Sequence, residues 1–154
     1  MPSQPETPAR SLPDLHCACA GLRRAARLVT QLYSSAMGGS IEPGQFALLS
    51  ALRERPGASQ TPLGRALGLD KTTMSRNLRL MHKSGWIELV LSGDRRQRGY
   101  RLTAPGEKIL ADTKPGWLRA QARLRAALDP GEWEQMLRAF DRTAEAAVAG
   151  QQEE

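Results

Sequence analysis

Between Leu63 and Leu102 the chain lays down local signals in a fixed order: a short helix, a tight turn, a polar and basic helix, then two strands joined by an arginine-rich tip. Ser59 or Thr61 can cap the first helix, Pro62 is tolerated in its opening turn, and Gly68 permits the sharp turn after it. Asp70 is a good cap for the second helix, which runs to about Lys83 and stops at Ser84-Gly85. Met74, Leu78 and Met81 fall on its inner face, leaving Thr72, Thr73, Ser75, Arg76 and Arg79 to point outward. Trp86 to Leu91 reads as a strand, Ser92 to Arg98 as a turn, and Gly99 to Leu102 as the partner strand. A helix-turn-helix followed by a basic hairpin can read one DNA groove with a helix while the hairpin grips the neighbouring groove or backbone.

Charge points the same way. The 154 residues carry 22 Lys and Arg against 16 Asp and Glu, a formal excess of +6. Residues 59–108 hold ten of the basic residues and only four of the acids, so the entire excess lies in the helix-turn-helix segment. A charged face that merely solvates the fold does not predict that localisation, whereas a polyanionic partner does. Double-stranded DNA is the partner expected.

The flanks are helical. Residues 1–13 carry four prolines and few apolar side chains and read as a flexible arm. Asp14 can cap a long helix, with Leu15, Cys19, Leu22, Ala26, Val29 and Tyr33 forming one apolar stripe, ended by Met37-Gly38-Gly39-Ser40. Glu42 to Leu52 forms another helix, with Phe46, Leu49 and Leu52 on one face, and Pro56-Gly57 breaks the chain after it. Thr103 caps a helix that Lys114-Pro115-Gly116 is expected to kink. Asp129-Pro130-Gly131-Glu132 is a helix-start signature, leading into Trp133, Met136, Leu137, Phe140, Ala144 and Val148 on one side. A small basic module has too little surface to cover three such stripes, so an isologous homodimer is the economical way to bury them. The expected fold is mainly α with a small β-hairpin wing. Residues 14–40 serve as an N-terminal dimerisation helix, 41–108 as a winged helix-turn-helix DNA-binding lobe, 109–150 as C-terminal dimerisation helices and 151–154 as a tail. No run of about 18 apolar residues suggests a membrane span and no signal peptide is evident, so a cytoplasmic location is expected.

From about Leu15 to Val148 these residues resemble the MarR family of bacterial winged-helix regulators. The most specific part is Gly93-Asp94-Arg95-Arg96 followed by Leu102-Thr103-Ala104-Pro105-Gly106, similar to the family's wing. Asp70 to Leu78 resembles the recognition helix, and Gln45-Phe46-Ala47-Leu48-Leu49 the second helix. Pro62 departs from the polar residue usual there. The resemblance implies a dimeric repressor, less often an activator, whose hold on a palindromic operator is changed by a small molecule or an oxidant. It implies that Thr72, Thr73, Ser75 and Arg76 face the major groove. Arg76 is the candidate base reader, because its fork can bond guanine N7 and O6 together. Lys71 and the hydroxyls suit phosphates. Arg79 belongs to the same face, and Arg95, Arg96, Gln97 and Arg98 lie on the wing, where an arginine can enter a narrow minor groove. Arg96 has a second reading, as a partner of Asp94 that holds the wing's shape. An effector pocket between the dimer helices and the DNA-binding lobe has Tyr33, Met37, Phe46 and Trp117 as candidate lining, although such residues at helical spacing also read as plain core.

His16-Cys17-Ala18-Cys19 contains both cysteines. Cys19 falls on the apolar stripe and suits a small core residue, while Cys17 lies with Arg24 and can stay accessible as a thiolate. Redox sensing through Cys17 and a metal or metalloid site using Cys17, Cys19 and His16 are the functional alternatives, though the spacing matches no closed zinc site. An internal Cys17–Cys19 disulfide requires an unwound helix there. His82 ends the recognition helix and suits phosphate contact or capping equally. No phosphate loop, paired carboxylates or nucleophile elbow is present, so neither an enzyme nor a cofactor is expected. A constitutive DNA binder and a winged-helix protein-interaction module are the rival functions.

Overall fold

A computed structural model describes residues 13–91 and 98–151. Its elements are α1 (Ala18–Met37), α2 (Pro43–Glu54), β1 (Ala58–Ser59), α3 (Gln60–Leu67), α4 (Lys71–Lys83), β2 (Ile87–Leu91), β3 (Arg98–Leu102), α5 (Ala104–Ala126) and α6 (Glu132–Gly150). The strands form one antiparallel sheet in the order β1-β3-β2. Ile87 faces Leu102 and Leu91 faces Arg98 across the ribbon, while Ala58 and Ser59 pair with Tyr100 and Gly99. The sheet therefore has three strands where the sequence suggests two. A strand of two residues has no period to detect, and it forms because the chain leaving α2 passes beside β3.

The core lies where the helix-turn-helix meets the flanking helices. Leu48, Leu49 and Leu52 of α2, Leu63 of α3, Met74, Leu78 and Met81 of α4, Ile87 of β2 and Leu110 of α5 are buried together. Each such side chain contributes roughly 1.5–3 kcal/mol by leaving water. The inner face expected for α4 is thus its buried face.

Gly68 ends α3 in the left-handed region, at φ +62°, and the Leu69 N–H reaches back to the Gly64 carbonyl at 2.9 Å. Thr103 opens α5 by accepting the Gly106 N–H at 3.2 Å, and its own hydroxyl donates to the Gly85 carbonyl. Ser59 stands at the N-cap of α3, although its hydroxyl makes no capping bond.

The starts of α1 and α6 differ from expectation. α1 begins at Ala18 with extended Cys17 at its N-cap, so Asp14 is not the cap, and its carboxylate approaches His16 Nδ1 at 3.4 Å. α5 continues through Pro115 to Ala126 as one helix. α6 starts at Glu132 with Gly131 as its cap, two residues later than the Pro130 start, while the Asp129 N–H donates to the Glu132 carboxylate at 2.6 Å. Among the described residues, no helix is long and apolar enough to cross a membrane.

Candidate nucleic-acid interface

Asp70 sets where α4 begins and which way it points. Its carboxylate accepts the Thr73 N–H at 2.9 Å and the Thr73 hydroxyl at 2.6 Å. Those bonds, the Thr73 hydroxyl first, hold the Asp70 carboxyl below its ordinary range. Gln60 Nε2 donates to the Lys71 carbonyl at 3.0 Å and ties α3 to the same turn. With Met74, Leu78 and Met81 buried, the rotation of about 100° per residue sends Thr72, Arg76, Arg79 and Lys83 to the opposite face. Lys71, Thr72, Arg76 and Arg79 are exposed; Thr73 and Ser75 are half-buried. The Thr73 hydroxyl is committed to the cap rather than free for a ligand.

The ribbon beside α4 supplies Arg98, exposed at the first position of β3. Arg101 is occupied, its Nε donating to Glu88 Oε1 at 2.6 Å across the strands. Arg95, Arg96, Gln97 and the suggested Asp94–Arg96 pair lie outside the described residues. Among the described residues, Lys71, Arg76, Arg79 and Arg98 make no internal ion pair, so their charge is available to a partner. Ser75, Arg79 and His82 meet Leu89 and Tyr100 around a hollow of about 210 Å³ between α4 and the sheet. The sequence reading did not single out Leu89 or Tyr100, since their neighbourhood depends on strand register.

An apolar cavity of about 340 Å³ lies among α1, α2 and α5. Val29, Thr30 and Tyr33 line it from α1, Pro43, Phe46, Ala47 and Ser50 from α2, and Trp117 from α5. Phe46 stacks on Trp117 with ring centroids 5.7 Å apart, and Tyr33 meets Trp117 edge-on at 6.5 Å. The Tyr33 hydroxyl donates to Gln121 Oε1, and burial pushes its pKa up. Three of the four residues proposed for a pocket therefore converge. Met37 is buried in the main core and does not line this cavity. Gln121 was invisible in sequence because its role depends on how α5 lies against α1.

Residues 40–98 match the model of the MarR family. The fold is shared with a transcriptional regulator of Mycobacterium tuberculosis, MosR, in complex with DNA, at 31% identity and a TM-score of 0.77, covering 86% of this chain and 97% of that one. The chain belongs to the MarR family. PcaV of Streptomyces coelicolor in complex with its natural ligand is similar at 25% identity and a TM-score of 0.78, covering 89% of this chain and 99% of that one. Transcriptional regulator HosA of Escherichia coli O157:H7 is 36% identical over 72 residues, 46% of this chain. The chain spans less than two thirds of the curated relatives it matches, 53% in the case of HosA. These MarR-type relatives are transcriptional regulators, not enzymes.

At the start of α1 this MarR-family chain departs from the sequence reading. Cys17 and Cys19 are both exposed and free. Cys19 is not a core residue within one chain: of the residues of α1 only Met37, at the opposite end, is buried. Among the described residues, no three His, Cys, Asp or Glu side chains converge as metal ligands, His16 included.

Proposed function

We propose that the chain is a dimeric, sequence-specific DNA-binding regulator of transcription, most simply a repressor, that holds a palindromic operator and releases it when a small molecule occupies the aromatic cavity. One observation carries the reading: a capped helix presents Lys71, Thr72, Arg76 and Arg79 outward beside a ribbon bearing Arg98, in the segment that holds all the chain's excess positive charge. The DNA complex of MosR, 31% identical, supports it. Residues 41–108 act as the DNA-binding lobe, and residues 14–40 and 109–150 pair two copies. That pairing is supported by Leu22 and Leu28 of α1 and by Leu137, Phe140 and Val148 of α6, all exposed in a single chain. Two copies set their recognition helices roughly 34 Å apart, one helical turn of DNA.

The cavity has the size and aromatic lining of a small-molecule site, and occupancy acts by favouring one spacing of the recognition helices over another. Exposed Cys17 and Cys19 support a second input, oxidation. Selection of binding sites from random duplex DNA, repeated with small aromatic compounds and with peroxide, tests all of this. A single recovered palindrome released by one of these agents supports regulation. Tight binding that nothing releases leaves a constitutive DNA binder. A monomer by sedimentation that ignores duplex DNA in dilute buffer leaves a protein-interaction module.

A further inference from the structure

Glu42 and Arg76 border one hollow that belongs neither to the aromatic cavity nor to the outer face of α4. Its volume is about 450 Å³; Glu42, Gly44 and Gln45 of the α2 start bound one side, and Arg76, Asn77 and Leu80 of α4 the other. Glu42 is the N-cap of α2, and its side chain and that of Gln45 form a capping box in which Gln45 Oε1 accepts the Glu42 N–H at 2.9 Å. The Ser34 hydroxyl of α1 lies 3.4 Å from Glu42 Oε2. On α4, Arg76 stands almost opposite the buried Met74 and Leu78, and Asn77 and Leu80 turn toward the α2 side. Arg76 therefore sits on the border between the outward face and the flank that Glu42 occupies. Among the described residues neither Glu42 nor Arg76 has an ion-pair partner.

We propose that Glu42 is a positioning residue that draws the Arg76 guanidinium off the DNA-reading face, so that DNA and the α2 carboxylate compete for it. The proposal rests on the DNA-binding reading above. The same helical turn is shared with the cavity: Pro43, Phe46 and Ala47 line the aromatic side while Glu42 and Gln45 bound the hollow. A ligand that shifts this turn shifts the competing charge with it.

Glu42→Gln keeps an oxygen for the cap and removes the charge. It is expected to tighten binding to a duplex selected from random DNA by about two- to fivefold, the range of exposed ion pairs, with the melting temperature unchanged. In an Arg76→Ala background the gain disappears. Glu42→Asp, which keeps a capping carboxylate but shortens its reach, gives a smaller gain and covers the case in which the glutamine variant folds poorly. An unchanged or weakened affinity in a folded variant overturns the proposal, as does a gain that persists without Arg76, which marks general repulsion of phosphates. Wild-type protein that binds no duplex at all overturns the DNA-binding reading and this inference together.

Discussion

Gly116 of α5 lies against the backbone of Ala36 in α1, so close that a Cβ on it would fall 2.5 Å from the Ala36 carbonyl oxygen and 2.8 Å from Met37 Cα. The same carbonyl accepts from Arg119 Nη2 at 3.1 Å, which satisfies an acceptor that the end of α1 leaves free. Backbone cannot yield as a flexible side chain does. Gly116→Ala is expected to force α1 and α5 apart, destabilising the fold by about 1–3 kcal/mol, with a lowered melting temperature as the readout. An unchanged melting temperature would mean that the two helices do not depend on this contact.

Asp70→Ala removes the cap of α4. At neutral pH the variant should melt a few degrees lower and bind DNA more weakly, because α4 loses its fixed start. The Asp70 carboxyl is held below its ordinary range, so its contribution is complete at neutral pH and is lost as pH falls through the lowered value. Melting curves of variant and wild type should therefore converge in acid.

Arg76→Ala should cost about 1–3 kcal/mol of operator affinity and relax preference at one base per half-site. Lys71→Ala and Arg98→Ala should weaken binding to every sequence and reduce the slope of log affinity against log salt by about one. Titrations of several duplexes at several salt concentrations distinguish the two patterns. A uniform loss from Arg76→Ala would make it a phosphate contact.

Cys19→Ser should leave stability within about 0.5 kcal/mol, since the thiol is exposed rather than packed. Cys17 should react at once with a thiol reagent in native protein, and Cys19 should react as fast once dilution separates the two copies. A protected Cys19 in solution would point to a second copy covering the first turn of α1.

Signals with a strong local cause were legible in the sequence. Asp70 as a cap, Gly68 as a turn and the Met74–Leu78–Met81 stripe each follow from a few adjacent residues, and the structure has all three. The strands of the ribbon were found to within one residue because alternation and a turn enclose them. What escaped depended on distant parts of the chain. β1 exists only because β3 lies beside it. Asp14 carries the chemistry of a cap, but the position of a cap is decided by where the helix finds support. Tyr33, Phe46 and Trp117 could be named as a set, whereas Met37, at the same helical spacing, turns into the core instead.

α6 is 19 residues long and buries none of them. Most helical stability in proteins comes from packing an apolar face, which α6 does little of within one chain, so on the dimeric reading proposed above its order is lent by a partner. If the lender is an identical molecule, dilution itself becomes a denaturant: amide protons of the last helix should exchange faster as protein concentration drops, long before the Leu48–Met81 interior loosens.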